Sequence, residues 1–487
     1  MKFTFKKSPD LKLNFSIVVL DKQYFNSEYS DYLQKQYGIY VTIEDLKKYP
    51  SSFQVYHANK NHRIILIDLS EKFTTDAVMQ SMLEVLMTER TSLPGKIQID
   101  LIYTDIDFVL APIVHGLELS TYNLALYQTE KHNTNWLDNE KLEILFITGR
   151  TATKTEKDIA IQAQIMAIYQ KEVMNLVNAP YNKLNTQHII QWIQNQGRTN
   201  NIKTTVLNKA KIEKTGLHAL LAVNRGSENE PAFIIAEYHG NKKKDARTIG
   251  LVGKGVTFDT GGLSIKPSTN LHYMKSDMGG AATVLGTIAA IAAMKWPVNV
   301  VAITPITDNS VDARSIKPGD VIDSYSGKTI EIIDTDAEGR LILADALAYI
   351  SRNYEVDHII DLATLTGSSV RTFGSVCAAL FSNDDELADT LYNMGFETGE
   401  KVWSLPIWNE YDDEMKSDIA DIKNLSTKPV AGAITAAKFL QAFIADHPSW
   451  AHLDIAGIAF GDTRFGKMKA ATGWGVHLLC AVIRELS

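Results

Sequence analysis

The stretch Asp334-Thr335-Asp336-Ala337-Glu338-Gly339-Arg340-Leu341 follows the apolar run Ile330 to Ile333, so its acids and its arginine stand where a buried strand should end. The carboxyl ends of parallel strands open onto the ligand crevice of an α/β sheet, and glycine there lets backbone come close to a bound group. A second address of this kind lies upstream. Thr248 to Val252 reads as another buried strand and runs into Gly253-Lys254-Gly255-Val256-Thr257-Phe258-Asp259-Thr260-Gly261-Gly262. Ser264-Ile265-Lys266-Pro267 and Met274-Lys275-Ser276-Asp277 follow.

Asp259, Asp277, Asp336 and Glu338 in one crevice repel one another unless they share protons or hold cations. An acid-base pair needs only two of them. Oxygen ligands around two divalent ions about 3.5–4 Å apart would neutralise the set and build a water-activating centre. Lys254 fits the same picture, because burial and neighbouring cations lower a lysine's pKa until its neutral amine can bind a metal. Each residue alone has a blander reading. Gly253-Lys254-Gly255 could be a phosphate cradle or a turn, although neither GxxxxGK[ST] nor GxGxxG occurs in this segment. Asp277 precedes the run Gly279 to Met294 and could be its N-cap. The joint pattern within one span of chain favours the metal reading.

Outward from these motifs the chain alternates strand and helix. Ile249 to Val252, Val298 to Thr304, Thr329 to Ile333, His358 to Ala363 and His452 to Ile455 read as strands, nearly all apolar before the motifs, as strands buried on both faces should be. Leu341 to Ser351 reads as a helix, and His452 with Asp454 as a hydrogen-bonded core pair. The amino-terminal third shows strands at Phe15 to Leu20, Arg63 to Leu69, Lys96 to Tyr103 and Lys141 to Thr148, with helices at Thr75 to Arg90 and Glu118 to Thr129. No site emerges there: Asp105, Asp107, His115 and His132 are scattered singly and read as solvated. A helix from Glu156 to Val177 links the halves and ends before Asn178-Ala179-Pro180. The expected fold is therefore α/β with two domains: a smaller amino-terminal α/β domain (1–150), a linker helix (151–180), and a larger α/β domain (181–487) with a mostly parallel central sheet that carries the site.

Composition agrees. A chain of 487 residues, 45% hydrophobic and 22% charged, can bury two large cores. Its formal charge of −8 argues against general nucleic-acid affinity. Cys377 and Cys480 cannot make a secreted disulfide framework in so long a chain, so a reducing, cytoplasmic setting is expected. Phe15 to Leu20 is too short and too late for a usual signal peptide, and Met278 to Met294 reads as a buried helix, not a membrane span.

The motifs resemble those of the leucyl aminopeptidase, or cytosol aminopeptidase, family. DTDAEGRL is similar to that family's NTDAEGRL signature, and LVGKGVTFDTGGLSIKPS with MKSDMGGAA to its metal-binding segment. The likeness extends through LVNAPYNKL, GLHALLAVNRGS, DLATLTG, MKSDIADIKN, AGAITAAKFL, HLDIAG and ATGWGV, from about residue 165 onward. The resemblance implies a metallo-exopeptidase in which Lys254, Asp259, Asp277 and Glu338 hold one divalent ion and Asp259, Asp336 and Glu338 the other, zinc or manganese. A nitrogen ligand among carboxylates disfavours calcium and magnesium. It implies that the substrate's free α-amine binds one ion and its scissile carbonyl the other, that protonated Lys266 stabilises the oxyanion, and that Arg340, which cannot be a base, holds bicarbonate with Ala337, Gly339 and Leu365. It also implies a side-chain pocket of Met274, Thr364, Gly367, Ala456 and Ala459, a leucine-like preference, peptide substrates and a homohexamer.

Two positions depart from the family pattern. Asp334 replaces the usual asparagine, and since both residues serve turns a silent exchange is expected. Ala459 stands where some relatives carry methionine, which leaves room for a wider pocket. Three rivals share the residues: a dipeptidase or cysteinylglycine-type hydrolase, a DNA-binding regulator, and a two-metal phosphoesterase, which alone would ignore a blocked substrate amine.

Overall fold

The computed structural model describes residues 1–21, 24, 26–42, 44–45, 53–59, 62–69, 74–90, 92–129 and 142–487; His132 and Lys141 lie outside the described residues. The chain divides into two compact units, Met1–Ile168 and Tyr169–Ser487. The helix Lys154–Asn178 runs through the division.

In the first unit β1 (Lys2–Lys6), β2 (Phe15–Leu20), β3 (Phe53–Asn59), β4 (His62–Asp68), β5 (Lys96–Asp100) and β6 (Glu143–Ile147) form one sheet in the order β1-β6-β5-β2-β4-β3. Every pairing is parallel except β3 with β4. All six residues of β2 are buried, as a central strand covered on both faces requires. The helix Thr75–Glu89 forms where expected, its first turn closed by Thr74 Oγ1 accepting from the Ala77 amide. The helix expected over Glu118 to Thr129 is displaced: the chain is helical over Ile106–Ser120 instead. That segment is buried around most of its circumference, so no polar face marks it, and Pro112 in its middle reads as a break. Asp105 and Asp107 stand at its start, while His115 is buried within it and not solvated.

The second unit carries β7 (Lys203–Leu207), β8 (Ala232–His239), β9 (Thr248–Gly253), β10 (Gly255–Asp259), β11 (Asn299–Asn309), β12 (Val321–Asp323), β13 (Thr329–Glu331), β14 (His358–Ala363), β15 (Ala378–Ser382), β16 (Val402–Ser404), β17 (Ile422–Lys423) and β18 (Trp450–Asp454). The main sheet runs β16-β15-β18-β14-β9-β11-β8-β7, with β10 beside β11. Its centre, β18-β14-β9-β11, is parallel, and the antiparallel joints at β15 and β8 lie toward its edges. The helix Gly279–Met294 is buried along nearly its whole length, which accounts for its weak polarity without a membrane.

Two expectations fail here. Thr329 to Ile333 does not join the central sheet: Thr329–Glu331 forms β13 in a separate three-stranded sheet, β12-β13-β17. Ile330 and Ile332 are buried while Glu331 is not, the alternation of a strand covered on one face only. His452 and Asp454 do not pair with each other either. Residues two apart on a strand share a face but not a contact, whereas the register sets His452 directly beside Asp361 of β14. His452 Nδ1 lies 2.6 Å from Asp361 Oδ1, and Trp450 Nε1 donates to Asp361 Oδ2 at 2.8 Å. Asp454 turns instead to the next loop, accepting from the Leu365 and Thr366 amides and from Thr366 Oγ1.

Candidate metal centre

The carboxyl ends of β9 and β10 deliver Lys254 and Asp259. Backbone bonds from Lys254 N to Leu362 O (3.0 Å) and from Ala281 N to Lys254 O (2.8 Å) lock the strand end against β14 and the helix Gly279–Met294. The helix comes so near that a Cβ on Gly280 would stand 2.1 Å from Leu362 O, so only glycine fits. A 3-10 turn, Leu271–Met278, brings Asp277 inward. Asp277 is not the N-cap of the following helix, since Met278 holds that position and no side chain caps it. The helix Glu338–Asn353 begins three residues earlier than expected, which puts Glu338, Gly339 and Arg340 in its first turn. Gly339 lets the Lys254 side chain pass close to the helix start: a Cβ there would lie 2.4 Å from Lys254 Cε.

These elements gather every acid the sequence singled out. Asp259, Asp336 and Glu338 present carboxylate oxygens within 4.8 Å of one another. Lys254 Nζ lies 2.8 Å from Asp277, 3.0 Å from Glu338 Oε1 and 2.9 Å from Thr364 O. Lys266 Nζ lies 2.9 Å from Asp259 Oδ2 and 2.5 Å from Asp336 Oδ1. The side chains of Lys254 and Glu338 are 4% and 1% exposed, whereas that of Lys266 is 21% exposed, at the mouth.

The electrostatics are those of a site built for cations. Burial, then Asp259, push the Asp336 carboxyl up to about 7. Burial likewise raises Asp277 and Glu338, with Lys254 pulling against it in both. Burial favours the neutral amine of Lys254, but Asp277, Glu338 and Asp259 outweigh it and hold its pKa above the ordinary lysine value. The same contest, decided by Asp259 and Asp336, keeps Lys266 protonated. Two ammonium groups thus stand among four carboxylates, and a neutral Lys254 requires cations to replace its proton.

The donor set fits metal ions. Both oxygens of Glu338 are buried without a hydrogen bond among the described residues, and Oε2 has no ion-pair contact in that set either. Asp259 differs: its Oδ1 accepts from Gly261 N (2.8 Å) and Asn309 Nδ2 (2.9 Å), which leaves Oδ2 open to a cation. An unpartnered buried carboxylate costs several kcal/mol unless a cation or proton meets it.

Arg340 is buried behind this cage. Its Nη1 donates to Asn424 O at 2.7 Å and its Nε has no partner among the described residues, so a donor remains for an anion. Burial lowers its pKa to about 10, against the pull of Glu338, Asp454 and Asp334, so it remains a cation at neutral pH. Ala337 and Gly339 flank it at the helix start. The Leu365 amide is already engaged by Asp454 Oδ1 at 3.2 Å. Asp334 behaves as a turn residue: its Oδ1 accepts from the Asp336 amide at 2.8 Å. Asp334→Asn is accordingly expected to change metal affinity less than about threefold, because the amide oxygen makes the same bond, and calorimetric titration of both proteins checks it.

Among the pocket residues, Thr364 Oγ1 donates to Asp277 Oδ1 at 2.8 Å, and Ala459 is buried. A Cβ on Gly279 would lie 3.4 Å from Ala459 Cβ and 3.4 Å from Thr364 Cγ2, so these two converge on one spot. The Ala456 amide is held by Asp454 Oδ1; Met274 is half-buried on the 3-10 turn, and Gly367 is exposed at the start of the helix Gly367–Phe373. Two asparagines escaped the sequence reading. Asn424, fully buried, accepts from the Ile333 and Asp334 amides, donates to Asp334 O and supplies the carbonyl for Arg340. Asn309, also buried, bonds Asp259 and Thr335 O. The pairing of Asn424 within the MKSDIADIKN string was the one available signal.

Buried carboxylates and two lysines gathered beside the carboxyl ends of β9 and β10 are the donor set of a metal-dependent hydrolase. The chain belongs to the cytosol aminopeptidase family, whose catalytic-domain model matches residues 172–480. A probable cytosol aminopeptidase of Chloroherpeton thalassium is 42% identical over 440 residues, 87% of this chain and 86% of that one. One of Chlorobium luteolum is 49% identical over 343 residues, 70% and 67% of the two chains. The solved structure of the bottromycin maturation enzyme BotP in complex with Mn aligns over 97% of this chain and 99% of its own, with a TM-score of 0.80 and 28% identity. The protein is a metal-dependent aminopeptidase.

Proposed function

We propose that the cage holds two divalent ions, manganese or zinc, with Lys254, Asp259, Asp277 and Glu338 around one and Asp259, Asp336 and Glu338 around the other. The observation that carries this reading is the pair of buried Glu338 oxygens that accept no hydrogen bond among the described residues and are met by Lys254 alone, beside Asp259, Asp336 and Asp277. A relative solved with Mn supports manganese. Such a pair of ions activates water and polarises a peptide carbonyl. The chain's own residues then divide the work. Lys266, protonated and at the mouth, stabilises the developing oxyanion; Arg340, with Ala337, Gly339 and Leu365, holds a bicarbonate as proton carrier. Met274, Thr364, Gly367, Ala456 and Ala459 receive a leucine-like amino-terminal side chain. The segment 181–487 is the catalytic domain, 151–180 the linker and 1–150 a separate α/β domain, in a cytoplasmic homohexamer.

Exopeptidase action follows if the substrate's free amine is itself a ligand, because an internal peptide bond offers none. Acetylating the amine of a leucyl peptide is expected to lower kcat/KM about a thousandfold or more, since a site built to bind a polar group rejects the analogue that lacks it. Comparing the free and acetylated peptides measures this. Equal rates would contradict the reading, since the peptide bond would then be cleaved without the free amine as a ligand.

A further inference from the structure

We infer that Asn309 is a positioning residue of the metal centre: its amide fixes which oxygen of Asp259 faces the ions and ties the two ligand-bearing loops together. This rests on the ligand assignment proposed above. Asn309 is the last residue of β11 and is paired in register with Asp259 of β10. It is 3% exposed. Its side-chain Nδ2 donates to Asp259 Oδ1 at 2.9 Å and to Thr335 O at 3.1 Å, while its backbone carbonyl accepts from Thr260 N at 3.0 Å and Thr260 Oγ1 at 2.8 Å. One side chain therefore touches the β10 loop, which carries Asp259 and Lys266, and the loop that carries Asp336 and Glu338.

The direction of the bonds matters. With Gly261 N and Asn309 Nδ2 both donating to Oδ1, the lone pairs of that oxygen are engaged, and Asp259 turns Oδ2 toward Lys266 and the cage. Thr335 carries the tie onward: its Oγ1 donates to Gly261 O at 2.7 Å and accepts from Ser264 N at 2.8 Å. Partners behind a metal ligand orient it, and their loss typically costs ten- to a hundredfold in affinity.

The test is calorimetric titration of the full-length, chelated protein with Mn2+, for wild type, Asn309→Ala, Asn309→Leu and Ser310→Ala, with melting of each metal-free protein as the measure of folding. Ser310 donates to Asp308, not to Asp259, and controls for a general loosening of this strand end. Asn309→Leu fills the space and carries the test if the alanine variant does not fold. Expected is a ten- to hundredfold loss of Mn2+ affinity in the Asn309 variants, with Ser310→Ala within about threefold of wild type. Wild-type affinity in a folded Asn309 variant, or an equal loss in Ser310→Ala, would overturn the inference. Failure of the wild type to bind Mn2+ would instead overturn the ligand assignment beneath it.

Discussion

Glu338→Ala is expected to lower kcat/KM by at least about a thousandfold, roughly 4 kcal/mol of transition-state stabilisation, and to strip the centre of tightly held metal. Among the buried acids of the described residues, Glu338 is the one whose two oxygens both lack hydrogen bonds, and Lys254 alone meets it as an ion pair, so its carboxylate is free to serve a cation. Its burial and the nearby Asp259 already disfavour its charge. The metal-free variant should therefore melt within a few degrees of wild type. Loss of activity with loss of metal and retention of fold would mark a ligand. Loss of activity with both ions still bound would move Glu338 to another role.

Lys266→Met is expected to behave in the opposite way toward metal. It should lower kcat by about 10²–10³-fold, the usual effect of removing an oxyanion donor, while KM changes little and the ions stay bound. Lys266 is the more exposed of the two lysines, held protonated by Asp259 and Asp336, and its removal leaves more net negative charge for cations. Steady-state rates together with metal analysis of the purified variant separate the two effects. A fall in metal content equal to that of Glu338→Ala would make Lys266 a structural member of the cage and not a donor to the reaction. Arginine at 266 keeps the charge but changes the shape of the donor, so only partial recovery is expected from Lys266→Arg.

The contrast between the two lysines also shows how much of the site could be read before any fold was known. Lys254, Asp259, Lys266, Asp277, Asp336 and Glu338 fall in three short segments, and it was their joint pattern, with the motif resemblance, and not any residue alone, that pointed to their gathering. The parallel centre of the main sheet was equally legible, because β9, β11 and β14 are mostly apolar and buried along nearly their whole length, as strands of a doubly covered sheet are.

What hid was either too apolar or too ordinary. The helix Ile106–Ser120 has little polar face for a period of 3.6 to register, and contains Pro112. The run before Asp334 looked like a central strand, although the polar Glu331 limits it to a half-covered ribbon on a side sheet. Asn309 and Asn424 act through directional amide bonds, and a single asparagine at a strand end looks no different from a turn residue until its partners are known. The assignment of His452 depended on register across β14 and β18, which pairs it with Asp361 through contacts far apart in sequence.

The most direct measurement is a titration of the chelated protein with Mn2+, followed at once by calorimetry and by release of leucine from a leucyl peptide. Two ions per chain and activity that returns with their occupancy are expected. Full activity in the chelated protein, or a cage that takes up no ion while the fold is intact, would contradict the account.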